Sequence, residues 1–290
     1  MKLIKFEENV KLSNLNTIKI GGIAKKVYIP KTAEDIKILL DLSKQKDKLF
    51  FPVGIGSNTV FSDGILDHIF VLTRELNRFN LYEKEGKFYL EAEAGVSFKT
   101  IIRLVQKFNL KGFEWLSGIP ATVGGAVVMN AGAFGTEVSD IIYEVHWLNP
   151  DGEYIILKRD EIDFSYRKSP FQNNGFVFKV IFQLEKSNTD IRRIIKNHLL
   201  ERNKKQPLDY PTAGSTFKNP QKFSAGYLLE KVGLKGFKVG NVAFSEKHAN
   251  FVINLGGGKY KELKKLIEIA EKKVASIYHI NLEKEIQVVE

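Results

Sequence analysis

The chain has 290 residues, which suits one large domain or two unequal ones and is enough to bury a sizeable core. Hydrophobic residues make up 43% and charged residues 27%, a balance that excludes a disordered chain. Cysteine is absent, so disulfides, thiolate nucleophiles and cysteine-ligated metals are excluded. The net charge is +10, which is compatible with nucleic acid or with small anionic ligands.

The beginning of the chain and its apolar runs carry no targeting signal. The first ten residues, MKLIKFEENV, contain no apolar core of a secretory signal. No apolar run approaches the roughly 20 residues that a membrane span needs. The basic residues are spread along the chain without a nucleic-acid-binding signature. We therefore expect a cytoplasmic protein with neither a membrane nor a nucleic-acid partner.

The first part of the chain is predicted to contain both helices and strands. Thr32 and Asp35 resemble a capping box and predict a helix after Thr32, and Ser97 is the predicted cap of a second helix. The predicted strands of this part are LFFPV (49–53), HIFVL (68–72) and the alternating segment Phe88–Ala94, which places Phe88, Leu90, Ala92 and Ala94 on one face.

The middle of the chain is richer in strands and ends in a long helix. The predicted strands are DIIYEVHWL (140–148), EYIIL (153–157) and FVFKVIFQL (176–184). A helix is predicted from about Thr189 to Lys205. Its cations are predicted to form a solvated face, opposite an apolar face made by Ile191, Ile194, Ile195, Leu199 and Leu200.

The last part of the chain repeats this mixture. SAGYLLEKVG (224–233) predicts a short helix that ends at Gly233, and NFVINL (250–255) and EIQVV (285–289) predict strands. The final helix is predicted to begin near Tyr260 and to bury Leu263, Leu266, Ile267, Ala270, Val274 and Ile277. Because strands and helices do not alternate strictly, the predicted class is α+β, with the main domain boundary at the polar segment KSNTD (186–190).

Two glycine-rich segments are candidates for a ligand site. PVGIGSN (52–58) follows an apolar strand, and a glycine turn of this kind lets main-chain N–H groups approach a phosphate. For Gly54 and Gly56 alone, a purely conformational role is the favoured interpretation. SGIPATVGGAVVMNAGAFGTE (117–137) carries almost no charge, which suits a wall against a planar ligand and equally a packed core loop. Neither segment fits the GxGxxG dinucleotide fingerprint.

Together with other motifs, these segments resemble one family of flavoenzymes. The motifs occur in the family's order: NTIKIGG (16–22), PVGIGSN (52–58), LSGIPATVGGAVVMNAGAFGTE (116–137), FSYRKS (164–169), AGSTFKNP (213–220), GLKG (233–236), SEKHANFVIN (245–254) and LEKEI (282–286). They are similar to the UDP-N-acetylenolpyruvoylglucosamine reductase family, also called UDP-N-acetylmuramate dehydrogenase. The chain resembles the short form of this family, and it has Lys19 and Gln287 where arginine is common.

The resemblance implies a fold and a reaction. The implied fold is a two-part FAD-binding domain of the vanillyl-alcohol-oxidase type over 1–188, with two α+β lobes that divide near 75–85. A smaller substrate domain over 189–290 follows, and its last strand (about 282–290) carries Glu285 back to the active site. The implied cofactors are FAD and NADPH. The implied reaction is reduction of the enolpyruvyl ether of a UDP-sugar to UDP-N-acetylmuramate, a peptidoglycan precursor.

The resemblance also assigns site residues. The implied catalytic residues are Ser215 as proton donor, Arg167 as enolate stabiliser and Glu285 as a protonated or hydrogen-bonded partner of the substrate carboxylate. The implied cofactor-binding residues are Gly54, Ile55, Gly56, Ser57, Asn58, Gly118, Pro120, Thr122, Gly124, Gly125, Asn130, Gly132 and Ala133. The implied substrate-binding residues are Tyr166, Lys218, Asn219, Lys235 and His248.

The residues alone favour plainer roles. Ser215 in a Gly/Pro-rich loop is more often a turn or capping serine, and Arg167 and Glu285 would be surface charges. No cluster of histidine and acidic residues has metal-ligand spacing, so no metal is expected. Two competing functions stay open: another flavin enzyme of the same fold, such as a sugar or lactone oxidase, and a non-catalytic basic protein that binds nucleic acid.

Overall fold

The computed structural model describes residues 4–290. Over these residues the strands are β1 (Lys5–Lys11), β2 (Ile23–Ile29), β3 (Phe50–Val53), β4 (Thr59–Phe61), β5 (Ile65–Leu66), β6 (Ile69–Leu72), β7 (Phe79–Lys84), β8 (Lys87–Glu93), β9 (Leu110–Lys111), β10 (Gly132–Ala133), β11 (Thr136–Glu137), β12 (Ile142–Leu148), β13 (Tyr154–Lys158), β14 (Phe176–Lys186), β15 (Thr212–Ser215), β16 (Lys238–Val239), β17 (Val242–Phe244), β18 (Phe251–Asn254) and β19 (Gln287–Val289). The helices are α1 (Ala33–Gln45), α2 (Phe98–Phe108), α3 (Val123–Val128), α4 (Ile191–Lys205), α5 (Ala225–Lys231) and α6 (Tyr260–Tyr278).

The chain divides into two compact units, and each is built from separate segments. The first unit comprises the residues up to Glu8, Lys26–Gly54 and Asp67–Glu201. The second comprises Asn9–Lys25, Ile55–Leu66 and Arg202–Glu290. This division reflects which parts of the chain contact one another, and it does not test the predicted domain bounds. The bounds of 1–188 and 189–290, with a division near 75–85, stay a prediction.

The first unit contains two sheets, and the core beside the first also takes Leu148, Phe176 and Phe178 from the second. In one, β2, β6 and β3 are neighbours and pair in parallel, and α1 contributes Ile36, Leu39 and Leu40 to the core beside it. In the other, the antiparallel order is β13-β12-β14-β8-β7. Its core takes apolar residues from α2 and α3, which brings the second glycine-rich segment against the sheet.

The second unit is built around an antiparallel sheet of order β15-β18-β17-β16. Helices α5 and α6 contribute to its core, together with Ile18, Ile20 and Val60 from the two N-terminal segments. Strand β19 pairs in parallel with β4, with Gln287 opposite Thr59 and Val289 opposite Phe61. The C-terminal strand is therefore anchored on residues that directly follow the first glycine-rich segment.

Local signals predicted the helices well. The capping box is confirmed because the Thr32 hydroxyl accepts from the Asp35 N–H while the Asp35 carboxylate accepts from the Thr32 N–H. Ser97 caps α2 as expected. Gly233 has φ +71°, a left-handed conformation that suits glycine two residues past α5. The mixed, largely antiparallel arrangement confirms the α+β class.

The predicted burial of Ile277 is wrong, and two leucines of the predicted apolar face of α4 are exposed. Leu199 and Leu200 are 40% and 48% exposed, and Ile277 is 59% exposed. On α4 the buried residues are Ile191, Ile195 and His198, a stripe narrower than the predicted apolar face. Ile277 lies next to the last residue of α6, Tyr278, and it is Tyr278 that packs against the core. The prediction also missed β1, β2 and β7, because β1 and β7 are mostly exposed and lack an apolar alternation.

Candidate active site

The first glycine-rich segment is shaped by close packing. In the first unit, a Cβ on Gly54 would lie 2.3 Å from the Thr122 hydroxyl oxygen, so this glycine lets two glycine-rich segments touch. In the second unit, Gly56 has φ +71°, and a Cβ there would lie 2.1 Å from the Leu15 carbonyl oxygen. Both glycines are required by the fold, in agreement with the conformational interpretation. Ile55 between them is 38% exposed.

The second glycine-rich segment combines core packing with an open surface. A Cβ on Gly124 would lie 2.9 Å from the Ala94 side chain, so α3 sits directly on the turn that follows β8. A Cβ on Gly125 would meet only the Thr122 hydroxyl at 3.4 Å. Of the other predicted residues of this segment, Thr122 and Asn130 are buried, and four are partly exposed or exposed: Gly118, Pro120, Gly132 and Ala133. The segment therefore combines the two predicted roles: part of it packs in the core, and part of it is exposed and could face a planar ligand.

Two hydroxyls of this segment are buried. The Ser117 hydroxyl is fully buried and has no hydrogen-bond partner among residues 4–290. An unpaired buried hydroxyl costs about 1–3 kcal/mol, so a binding partner at this position would be stabilising. Thr122 lies at the start of α3, and its side chain makes no capping bond to that helix. These groups, with the nearly bare Cα of Gly125, fit the polar part of a nucleotide cofactor such as FAD.

Arg167 lies at the tip of a tight hairpin in the first unit. Ser165 and Lys168 exchange main-chain hydrogen bonds, and Arg167 between them has φ +56°, a strained value for a non-glycine residue. Its guanidinium donates to the Gly132 carbonyl at 2.9 Å and to the Asn130 carbonyl at 3.4 Å. A permanent positive charge is thereby fixed beside the second glycine-rich segment.

Asn130 has a structural role in this corner of the first unit. It is fully buried with φ +41°, and its amide nitrogen donates to Glu137 at 2.7 Å and to the Ser165 carbonyl at 3.0 Å. Its amide oxygen accepts from the Ser139 N–H at 3.3 Å. The side chain therefore holds the Arg167 hairpin against the glycine-rich segment, and its predicted contact with the cofactor stays a prediction.

Ser215 lies at the end of β15 in the second unit. Its hydroxyl makes no hydrogen bond to any residue in the range 4–290. Gly214 before it has φ +79° and interrupts the β15–β18 register between Thr212 and Ser215. A Cβ on Gly214 would reach nothing closer than the Ser57 carbonyl oxygen at 3.9 Å. Ser215 is therefore a half-buried hydroxyl beside a glycine that leaves room next to it.

The main chain of Glu285 lies next to the Ser215 strand. Its N–H donates to the Thr216 carbonyl at 2.9 Å, and Phe217 pairs with Lys284 in an antiparallel bridge. On the other side, the Asn58 amide nitrogen donates to the Glu285 carbonyl at 3.0 Å. The second unit thus brings together three predicted site residues: Ser215, Glu285 and Asn58.

The predicted substrate-binding residues have mostly local partners. In the first unit, Tyr166 is 47% exposed. The Arg167 guanidinium lies over its ring, with the guanidinium carbon 5.0 Å from the ring centre. In the second unit, Lys218 pairs with Glu283, and Lys235 pairs with Glu230 at 3.1 Å. Asn219 accepts from the Ala225 N–H at 3.0 Å and so holds the start of α5.

His248 is a partly buried histidine of the second unit. Burial is the main cause that lowers its pKa below the ordinary value, and the Lys235 charge acts in the same direction. The Asn250 N–H donates to its Nδ1 at 3.3 Å, so this nitrogen is an acceptor. Both features favour the neutral imidazole.

Asn250 is a site-supporting residue that sequence reasoning missed. Its side chain accepts from the Phe217 N–H at 3.0 Å and donates to the Phe217 carbonyl at 2.7 Å, and its own carbonyl accepts from the Thr216 N–H at 2.7 Å. These three bonds fix the loop that follows Ser215. The available signal was a single amide directly before the apolar run FVIN, where a buried polar residue needs a partner.

Among residues 4–290, no group of three histidine or acidic side chains is arranged to hold a metal ion. None of the helices described there is long and apolar enough to span a membrane.

Two domain families match the chain. A family described as "FAD binding domain" matches residues 24–158. A family described as "UDP-N-acetylenolpyruvoylglucosamine reductase, C-terminal domain" matches residues 206–289.

Similar proteins match over nearly the full chain. A UDP-N-acetylenolpyruvoylglucosamine reductase of Aquifex aeolicus is 47% identical, with 98% of this chain and 95% of the relative covered. A protein of the same name from Syntrophomonas wolfei is 38% identical, with 99% and 95% covered. A crystal structure of the reductase from Thermus caldophilus has a TM-score of 0.82 and 31% identity, with 99% of this chain and 100% of that chain covered.

Proposed function

The chain belongs to the UDP-N-acetylenolpyruvoylglucosamine reductase family, and from that premise we propose that it uses NADPH to reduce the enolpyruvyl ether of UDP-N-acetylglucosamine to UDP-N-acetylmuramate. It is an FAD-containing oxidoreductase, with the predicted fold of an FAD-binding domain and a C-terminal substrate domain. The observation that carries the proposal is the Ser215 hydroxyl, unpartnered within residues 4–290 and one residue from the carbonyl that binds the Glu285 N–H.

The cofactor and the chain have separate tasks. Bound FAD, once reduced by NADPH, supplies the hydride that goes to the terminal carbon of the enolpyruvyl group. The residues that would hold it are those predicted from the two glycine-rich segments, with the Ser117 and Thr122 hydroxyls as polar contacts. The chain must then stabilise the negative charge that develops towards the substrate carboxylate. It must also deliver a proton to the carbon that bears the ether oxygen.

Ser215 is the proposed proton donor. Its O–H bond breaks, the proton goes to the substrate carbon, and the alkoxide left on Ser215 is reprotonated from solvent. A serine hydroxyl is a weak acid, so position must compensate for its pKa. The main-chain bonds of Thr216 to Asn250 and Glu285 supply that position, and the hydroxyl does not have to break a protein hydrogen bond before it donates.

Arg167 and Glu285 are proposed to act on the substrate carboxylate. A guanidinium is a permanently charged planar fork suited to a carboxylate, and the Asn130 and Gly132 carbonyls hold that of Arg167 in place. Glu285 must be protonated or share a hydrogen with the carboxylate, because two anions in contact repel. Hydrogen bonds to its main-chain N–H and carbonyl fix the position of its Cα, from which the side chain extends.

Half-reaction kinetics test the proposal. Purified protein should show flavin absorbance, NADPH should bleach it without oxygen, and the enolpyruvyl UDP-sugar should restore it with formation of UDP-N-acetylmuramate. Bleaching by a sugar or lactone followed by reoxidation with oxygen would instead support the oxidase alternative. A colourless protein that binds nucleic acid would overturn both.

A further inference from the structure

Asn58 forms a double link to the C-terminal segment. Its amide nitrogen donates to the Glu285 carbonyl at 3.0 Å, and its own carbonyl accepts from the Gln287 N–H at 2.8 Å. The two bonds enclose the segment from Glu285 to Gln287. Asn58 directly precedes β4, so the link stands at the beginning of the parallel β4–β19 pair.

The same segment changes partners at Glu285. Before it, the Lys218 N–H donates to the Glu283 carbonyl at 2.8 Å, and the Glu285 N–H donates to the Thr216 carbonyl at 2.9 Å. After it, β19 pairs only with β4 among the strands described. Glu285 therefore lies just before β19 and outside its regular pairing with β4. The Asn58 side chain gives the Glu285 carbonyl the hydrogen-bond donor that a neighbouring strand would otherwise provide.

We propose that Asn58 is a positioning residue for Glu285, acting through the main chain of the C-terminal segment. This inference rests on the proposed function and changes the role expected for Asn58, which the family resemblance placed among cofactor-binding residues. One N–H of the Asn58 amide donates to the Glu285 carbonyl, and the Glu285 N–H donates to the Thr216 carbonyl. Without the Asn58 side-chain bond, the Glu285 carbonyl loses its donor, while the Glu285 N–H stays bonded to Thr216 and the Gln287 N–H to the Asn58 carbonyl.

Small displacements at such a site are costly to the rate. A shift of about 1 Å in a reacting group can cost roughly 10²-fold. The loss should appear only in the step that uses Glu285, because flavin reduction by NADPH does not involve the substrate carboxylate. A role in cofactor binding would instead lower FAD content and slow both half-reactions.

A double-mutant cycle on the FAD-loaded enzyme tests this. The variants are Asn58→Ala, Glu285→Gln and the pair, with the exposed Asn203→Ala of the same unit as the matched control. Asn58→Ala should keep its FAD and its bleaching rate while reoxidation by the enolpyruvyl substrate slows by about 10²-fold. In the Glu285→Gln background, Asn58→Ala should add little, because the residue it positions has lost its function. FAD loss in Asn58→Ala, or full additivity in the pair, would overturn the inference.

Hydrogen exchange gives a readout that does not depend on turnover. In Asn58→Ala, amides of residues 283–289 should exchange faster than in the wild type, with exchange in α5 unchanged. Equal exchange of this segment in the two proteins would overturn the positioning role even if the wild type failed to turn over the enolpyruvyl substrate. Failure of the wild-type half-reaction would overturn the proposed function alone. If Asn58→Ala does not fold, Asn58→Ser, which keeps a shorter donor, takes its place in both measurements.

Discussion

The two places that hold candidate catalytic residues are built in opposite ways. In the first unit, the Arg167 side chain itself is fixed, because its guanidinium donates to the Asn130 and Gly132 carbonyls. In the second unit, the main chain is fixed around Ser215 and Glu285, while the Ser215 hydroxyl has no partner within residues 4–290. A group that supplies charge works best when it is immobile, whereas a group that gives up a proton must be free to hydrogen-bond its acceptor.

The largest effect that tests this difference is expected from Ser215→Ala. Because the main chain around Ser215 is held by Asn250 and Glu285, the substitution should remove the proton donor and leave the loop intact. Reoxidation by the enolpyruvyl substrate should slow by about 10²–10⁴-fold, with NADPH-dependent bleaching unchanged. Stopped-flow absorbance measures both steps, and Ser276→Ala on the exposed face of α6 is the control. Normal reoxidation would break the assignment of Ser215 as the acid.

Arg167→Lys tests whether the fixed guanidinium of the first unit matters for catalysis. A lysine keeps the charge but cannot reach two carbonyls and an anion with a planar fork. Reoxidation should slow by about 10²–10³-fold, the typical cost of losing one transition-state donor. The exposed neighbour Lys168→Ala should behave like the wild type. Full activity in Arg167→Lys would show that charge alone is required and that the fixed guanidinium plane has no catalytic value.

Asn130→Ala tests whether the first unit depends on side-chain bonds for its stability. The substitution removes two donated bonds and one accepted bond from a fully buried position, and it leaves the buried Ser139 N–H without its acceptor. The free energy of unfolding should fall by about 2–4 kcal/mol. Chemical denaturation measures this, against the exposed Asn77→Ala, whose bond to Arg74 should matter little. A loss of FAD without a loss of stability would favour a direct cofactor contact.

The smallest expected effect concerns His248 and pH. Because burial lowers its folded pKa below the unfolded value of about 6.5, the unfolded chain binds the proton more tightly. The stability due to a neutral His248 is therefore complete above about pH 6.5 and is lost as pH falls through the folded pKa. Unfolding midpoints measured between neutral and mildly acidic pH should fall less in His248→Gln than in the wild type. Identical slopes would mean that other groups set the acid sensitivity.

Local signals predicted the elements better than the contacts. Caps such as Thr32 with Asp35, and the left-handed Gly233, depend on neighbours within a few residues, so a single sequence specifies them. The burial of Leu199 and Ile277 depends on which part of a helix meets the core, and periodicity alone does not give this. The exposed strand β7 has no apolar alternation to identify it.

The family motifs predicted the candidate site residues, but they did not predict the contacts that hold those residues in place. Ser215 and Glu285 were named through AGSTFKNP and LEKEI, yet their shared contact at Thr216 arises from strand pairing that no local pattern encodes. Asn58 meets Glu285 across 227 residues of chain. Asn250 holds the Ser215 loop through bonds to Phe217, and nothing in its immediate sequence names that partner.

The parallel pairing of β4 with β19 has a consequence for protein synthesis. Val60 and Phe61 are fully buried, but the strand that pairs with them emerges from the ribosome more than two hundred residues later. During that interval these apolar residues have no native ladder, and long-range pairing of this kind is slow and leaves intermediates open to aggregation. The second unit can therefore complete this pairing only after translation of the C-terminal segment.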